Sequence, residues 1–450
     1  MSMKKNLFFY LFALICSVSL FTACSDDDDP NWKKLPSKVI TTENLTLISN
    51  ELVMSDASVQ LSMTDAQSGV LTLTNAVRGL NTVAVNVTVQ EQPDGWFKFQ
   101  GEQNVSTSTK AVSDLVSAIL VKVSGTISIE GEAQVNVLSE ANGALVKKWV
   151  LTDSLSLDAE NKIWKFAPFK LNWKSAYGEG SNAGIAAENL TLIGTKALSS
   201  LMTLMLKDIE FTPDGSIVAT YADDPTIDTN ALIGSIMGES MPSTEGIKWT
   251  TSPKNLAYWV AADNHMKVIL NIPAIVAQEM DEDSALTPEA VLGILQMLKG
   301  MNGAEVKELV GGLLAGMAQQ NPMLAKIDLS KISDSTVEML IDYVFNGIPV
   351  NFKVETIELA KGGTVESLCF SIDKQFFDAF MPVLYPLLPD LDAMVKQIEI
   401  EIFGSKMPVW SFVQLLTGLN SLTEIEPMWQ KTSLFELGLG LGNTSFVAGK

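Results

Sequence analysis

Thr82-Val83-Ala84-Val85-Asn86-Val87-Thr88-Val89 places a valine at every second position. Successive side chains of an extended strand point to opposite faces, so the four valines share one face and Thr82, Ala84, Asn86 and Thr88 the other. Valine is stiff about χ1 and packs well on a pleated surface. The stretch predicts an antiparallel strand with one face in a core and one in water. Such a strand needs partners, and the pattern continues on both sides. Upstream, Leu45 and Leu47 alternate within Asn44–Ser49, then Val59, Leu61 and Met63 alternate, and Val70, Leu71 and Leu73 follow a turn at Gln67-Ser68-Gly69. Downstream, Pro93-Asp94-Gly95 is a strong turn signal, followed by Trp96, Phe97 and Phe99.

Between Thr109 and Val121 the period changes. Val112, Leu115, Val116, Ile119 and Leu120 fall at i, i+3, i+4, i+7 and i+8, which predicts an amphipathic helix. Strands resume at Val123–Ile129, Ala133–Leu138, Leu145–Leu151 and Lys162–Asn172. The phrase Glu-Asn-Leu-Thr-Leu-Ile then occurs twice, at 43–48 and 188–193. It reads either as the trace of a duplicated β-rich unit or as a coincidence of strand-start residues. Strands Leu204–Phe211 and Ser216–Tyr221 flank the hairpin turn Thr212-Pro213-Asp214-Gly215, and Lys248–Thr251, Leu256–Ala261 and Met266–Asn271 continue the β pattern.

Helices concentrate in 288–390. Thr287-Pro288-Glu289 supplies an N-cap, a proline at the first helical position and a favourable charge. A second helix spans about 304–319, and a third starts at Ser335, with Glu338 completing a capping box. A strand pair at Pro349–Leu359 and Val365–Ile372 precedes an apolar stretch opened by Asp373. The expected fold class is α+β, with mostly antiparallel curved β-sheets and apolar helices packed on their concave faces. The expected organisation is a signal peptide (1–23), an acidic and polar tether (24–40), a β-rich unit with one helix (41–180) and a second α+β unit (181–450).

Composition narrows the function classes. The chain has 450 residues and a formal net charge of −21. A surface of that sign repels phosphate backbones and disfavours nucleic-acid partners. With one histidine, His265 in a turn, multi-histidine zinc sites are ruled out. No G-x-S-x-G, P-loop or G-x-G-x-x-G pattern opens a helix. Gly438-Leu-Gly-Leu-Gly442 reads as a glycine-softened terminal strand. Cys369 sits in an apolar strand-like run and reads as a buried, inert thiol.

The N-terminus carries an address. Lys4 and Lys5 precede an apolar run, Leu7–Phe21, of about 15 residues, too short to span a bilayer and suited to a signal peptide. Thr22 and Ala23 are small, and Cys24 follows, then Ser25-Asp26-Asp27-Asp28-Asp29. This arrangement resembles Bacteroidetes surface lipoproteins. The resemblance implies acylation of Cys24, with Asp26, Asp27, Asp28 and Asp29 as an export signal to the outer leaflet of the outer membrane. Phe97-Lys-Phe-Gln-Gly101 and Val123-Ser-Gly-Thr-Ile127 give the body a calycin-like look, which implies a barrel holding an apolar ligand.

Three chemistries remain. Apolar helices either form a core or line a groove for an apolar or lipid-like ligand, and Leu313, Met317, Phe376, Phe377, Phe380 and Leu384 are the candidate lining. Trp249, Tyr258 and Trp259 are a candidate sugar platform, against the alternative of core aromatics. Acid pairs such as Asp223/Asp224, Asp281/Asp283 and Glu399/Glu401 would serve a hydrolase if two carboxylates faced one cleft. The expected protein binds rather than catalyses. No metal or cofactor is expected. Its partners would be the bilayer through Cys24 and an apolar small molecule or a glycan.

Overall fold

A computed structural model describes residues 30–106, 116, 118–178, 186–224, 229–238, 241–262, 265–279, 287–317, 327–359, 361–402 and 405–445. Cys24 and the four aspartates lie outside that range, as does most of the segment expected to be helical at 109–121. Its last four residues, 118–121, begin a strand instead. Ile119 and Leu120 fit either period, and pairing with two neighbouring strands decides for β.

Eight strands form the first sheet: β1 (Leu45–Ser49), β2 (Leu52–Val53), β3 (Ser58–Met63), β4 (Ser68–Val77), β5 (Leu80–Glu91), β6 (Phe97–Ser106), β7 (Ala118–Ile127) and β8 (Ala133–Asn142). Their order is β2-β1-β8-β7-β6-β5-β4-β3, antiparallel except for the parallel pair β1–β8. The valines of the opening stretch behave as their alternation predicts. Val83, Val85, Val87 and Val89 are buried, and the polar positions between them are exposed. The sheet curls around this face into a half-barrel filled by Leu47, Leu61, Leu71, Phe97, Phe99 and Val137. Gly125 allows the curl, because a Cβ there would lie 2.1 Å from the Gln134 carbonyl and 2.7 Å from the Phe99 ring.

The second sheet closes on itself. Its ring runs through β9 (Lys148–Leu151), then, past the short pair β10 (Ser156–Asp158) and β11 (Ile163–Phe166) and the strand β12 (Phe169–Ser175), β13 (Leu206–Phe211) and β14 (Ser216–Ala222). After β15 (Trp249–Thr251) it continues through β16 (Ala257–Ala262), β17 (His265–Leu270), β18 (Ile348–Glu358) and β19 (Thr364–Asp373). Past the hairpin β20 (Glu399–Ile402) and β21 (Ser405–Pro408) it ends at β22 (Thr432–Gly442). β22 returns to β9 through Leu441↔Leu151 and Gly442↔Val150, so eight antiparallel strands form a closed barrel in chain order. β12 and β15 flank the ring on β22 and β14. The chain is α+β with two β-rich units, as the strand patterns predict.

An eight-stranded barrel is just wide enough for side chains to fill it or for one small ligand. Here side chains occupy it. Trp149, Leu368 and Leu441 are completely buried, and Phe211 packs edge-on to Trp259 with ring centroids 5.9 Å apart and against Phe370 at 5.3 Å. The concave faces are thus filled by the strands' own residues, and the helices pack outside. This corrects the expectation that helices lie within the curvature.

The repeated hexapeptide shows how context sets local structure. At 43–48 it leads into strand β1, whereas at 188–193 it lies in a helical segment, with α-helix at Ala186–Asn189 and Thr195–Met205 joined by a π-helical turn at Leu190–Gly194. The two copies are not a structural repeat. The helical copy closes a sheet edge. Thr191, Thr195 and Ser199, all fully buried, face the free side of β12. Each hydroxyl accepts from the N–H and donates to the C=O of one strand residue: Thr191 with Trp173 (2.7 and 3.0 Å), Thr195 with Leu171 (2.8 and 3.0 Å) and Ser199 with Phe169 (3.2 and 2.8 Å). Four helical residues rise about 6 Å and two strand residues about 6.6 Å, so the spacings match over the two steps between the three contacts. An edge that would invite another strand is covered.

Apart from Thr229–Met237, between β14 and β15, the remaining α-helices form two insertions. Ile272–Glu279, Pro288–Lys299, Gly303–Met317 and Asp334–Asn346 lie between β17 and β18. Lys374–Asp378, Met381–Leu384, Leu388–Val395, Val409–Thr417 and Ile425–Gln430 lie between β19 and β22. Thr287 caps its helix as expected, accepting from Ala290 N–H at 3.2 Å, with Pro288 in the first turn. Asp373 caps as expected too. At the third cap the expectation fails. Ser333, not Ser335, accepts from Thr336 N–H. Glu338 reaches across to Gly303 N–H (3.1 Å), at the start of the neighbouring helix. A tertiary acceptor site has displaced the local capping box.

Candidate functional site

The two β units meet at the mouth of the barrel. Val116, Ile119 and Ala141 from the half-barrel pack onto the barrel core and plug that end. The turn Thr212–Gly215 docks beside them, with Ala141 N–H donating to Pro213 O at 2.7 Å. Asn50, in the left-handed region at φ 44, donates through Nδ2 to Asp214 O (2.8 Å) and Ser139 O (3.1 Å), and its Oδ1 accepts from Ser139 N–H (2.9 Å). The Asp214 carboxylate accepts from Thr212 Oγ1, Ser216 N–H (3.1 Å) and Lys254 Nζ (3.0 Å).

A cavity of about 40 Å³ remains in this seam, lined on its polar side by Ser49, Asn50, Arg78, Ser139 and Asp214 and closed by apolar side chains including Val77 and Trp259. Arg78 is the only arginine in the chain. Its guanidinium stacks 3.6 Å from the ring centroid of Tyr258. Burial lowers its pKa, opposed by Tyr258 and Asp214, and an arginine in this setting stays charged. The Tyr258 hydroxyl is buried and has no hydrogen-bond partner among the described residues. Composition alone could have flagged Arg78 as unusual, but no motif surrounds it, and only the docking of the two units makes it a site.

Tyr258 and Trp259 do not form a sugar platform. They are adjacent on β16, so they point to opposite faces, and both faces are covered. Trp259 enters the barrel core, and Tyr258 lies beneath Arg78, leaving 4% and 2% exposure. Trp249, on the flanking strand β15, is half-buried.

The candidate apolar lining divides in two. Phe376 lies 5.1 Å from Phe380 and 5.3 Å from Phe377, and stacks on Tyr343 at 5.8 Å. Phe377 continues this row through Phe435 (5.1 Å) to Trp429 and Trp173, where it joins a buried cluster. Leu313 and Leu384 are instead open to solvent, 56% and 41% exposed. Met317 ends its helix, and its side chain lies outside the described residues. Leu292, Ile294 and Met297 on one twelve-residue helix are also exposed.

Titratable groups offer less. The described residues contain no group of three or more His, Cys, Asp or Glu able to hold a metal. His265 starts β17, and its side chain lies outside the described residues, as do Asp281 and Asp283. Asp223 pairs with Lys248 on the surface. Burial pushes the Cys369 thiol up, so it is protonated at neutral pH. Beside it, Lys170 and Glu436 form an ion pair at 3.0 Å between β12 and β22. Burial alone would raise the Glu436 pKa, but the Lys170 charge and hydrogen bonds from Lys170, Asn172 and Ser371 hold it below the ordinary value of 4.5. Burial likewise opposes the Lys170 charge, but Cys369 and Glu436 raise its pKa above 10.5. The carboxylate therefore contributes stability in full above pH 4.5 and loses it as pH falls through its lowered value. The ammonium contributes in full below 10.5 and loses it as pH rises past its raised value. Glu436→Gln is expected to flatten the acid limb of stability below about pH 5, as read from denaturant midpoints at neutral and acid pH. An unchanged acid limb would remove the pair from the account.

No protein family, curated protein or solved structure matches the chain.

Proposed function

We propose that the protein is a lipoprotein of the outer membrane, anchored through acylated Cys24 and exposed at the cell surface, that binds an apolar, lipid-like ligand across its helical layer. The observation that carries the reading is the run of open aliphatic side chains on the inserted helices, Leu292, Ile294, Met297, Leu313 and Leu384, in a chain of net charge −21. A strongly acidic protein can hide such residues easily, so leaving them in water is costly unless a partner covers them. The filled barrel turns the reading away from a calycin-like calyx and toward this outer surface. No helix among the described residues is long and apolar enough to cross a membrane, and acylation would supply the attachment.

Native mass spectrometry of the full chain in mild detergent is expected to show a co-purified lipid-sized adduct. Leu292→Asp with Leu313→Asp should weaken its binding at least about tenfold, which corresponds to about 1.4 kcal/mol. These positions are exposed, so folding should be retained. Absence of an adduct, together with no binding of a fluorescent acyl probe, would refute the reading. Cys24→Ser should release the protein from the membrane fraction.

A second reading, glycan binding, has its own support. An open groove of about 450 Å³ on the outer face of the half-barrel is lined by Thr88, Gln100, Glu102, Lys122, Ser124 and Asn136. Amide and hydroxyl side chains of this kind suit sugar hydroxyls. It predicts glycan retention that Gln100→Ala with Asn136→Ala abolishes.

A further inference from the structure

We infer that the seam cavity between the half-barrel and the barrel is a carboxylate-binding site, with Arg78 as the residue that grips the ligand. The inference is independent of the helical surface proposed above.

A guanidinium carries five N–H donors and no acceptor. Arg78 is half-buried, so its donors are partly withdrawn from water and gain from an acceptor that also pairs the charge. Among the described residues no carboxylate lies within ion-pair distance of Arg78, and its guanidinium, stacked on the Tyr258 ring, lines the cavity. The nearby polar groups are already committed. Asn50 and Ser139 bond to each other, Asn50 also bonds to the docked turn, and the Asp214 carboxylate is taken by Thr212, Ser216 and Lys254. Arg78 thus lines the cavity with no protein carboxylate paired to it, beside the buried, unpartnered hydroxyl of Tyr258.

The chemistry of the ligand follows from the residue and the space. The charge on all the chain's other basic side chains sits on lysine, a point charge on a flexible stem, whereas arginine presents a planar fork that matches a carboxylate with two parallel hydrogen bonds. A cavity of about 40 Å³ admits a carboxylate with a short carbon stub. Val77, Val116, Ile119 and Ala141 provide the apolar wall that such a stub requires. The carboxylate has two possible sources, a free acid of acetate size or the head of a longer alkyl acid.

The test uses the full chain in detergent and its thermal unfolding midpoint. Sodium acetate, sodium octanoate and sodium chloride are compared at equal ionic strength. A carboxylate that binds the folded state raises the midpoint, and chloride should not match it. A rise with acetate alone, or with both acids, assigns a small acid. A rise with octanoate alone assigns the head of a longer one. Arg78→Lys keeps the charge but loses the fork, and should reduce the affinity at least about tenfold. Arg78→Gln should abolish the effect. If neither acid exceeds chloride, or if both variants respond like the parent, the site does not exist. Should a variant fail to fold, line broadening of 13C-labelled acetate and octanoate by the parent protein decides the matter, and no broadening of either overturns the proposal.

Discussion

Trp149→Ala is expected to lower the stability of the protein by about 3–5 kcal/mol. Trp149 is completely buried in the barrel, and its Nε1–H donates to the Leu145 carbonyl at 3.1 Å. Removing the indole deletes a large apolar surface and leaves a cavity among Leu368, Leu441 and Phe370, all anchored on hydrogen-bonded strands. A ring of eight paired strands cannot collapse inward without breaking its ladder, so little of the void can close. The Leu145 carbonyl also loses its indole donor. The barrel closes through only two residue pairs, at Leu441 and Gly442, and Leu441 packs in the same core as Trp149. Loss of the indole should therefore also loosen the closure, seen as faster amide exchange at Val150 and Gly442. Denaturant unfolding at unchanged m-value measures the main effect. A loss below about 1 kcal/mol would mean that the barrel interior is not packed as described.

Thr195→Val should cost about 2–4 kcal/mol, although it preserves shape and adds apolar character. The hydroxyl both accepts from and donates to Leu171 on the free side of β12. Valine leaves that N–H and that C=O buried without partners, at about 1–3 kcal/mol for each unsatisfied group. Thr195→Ser keeps the hydroxyl and loses only a methyl group, so it should cost about 1 kcal/mol. The comparison separates hydrogen bonding from packing, and equal losses for the two variants would defeat the edge-capping account. A second consequence is kinetic: an uncovered β12 offers a strand edge for pairing, so Thr195→Val should also aggregate faster during refolding.

Local signals read well where one force acted alone. The alternating valines of β5 needed only a buried face and a wet one. Thr212-Pro-Asp-Gly215 needed only turn chemistry, and Thr287-Pro288 only a helix start. Signals failed where two local solutions were close in energy. Glu-Asn-Leu-Thr-Leu-Ile serves as a strand entry at 43–48 and as helix at 188–193. Its threonine is an ordinary β-branched residue in the first place and a hydrogen-bonding tooth against β12 in the second. Ser333 and Ser335 are both competent caps, and the choice fell with Glu338, which a neighbouring helix engaged.

The candidate sites divide on the same line. Leu313 and Leu384 are apolar residues on apolar helices, and their openness to solvent is a property of packing that periodicity does not contain. Tyr258 and Trp259 are adjacent aromatics in one dimension, but a strand sends them to opposite faces, Trp259 into the barrel core and Tyr258 beneath Arg78. Arg78 has no neighbours in sequence that mark it. What the sequence determined by itself is the α+β class, the strand faces and turns and the acidic charge, because each depends on composition or on side chains only a few positions apart. The tertiary structure decided that the barrel closes and is filled, that a helix seals the edge of β12, and that one arginine faces a cavity between two units. These depend on residues far apart in the chain whose burial and contacts exist only once the sheets have met.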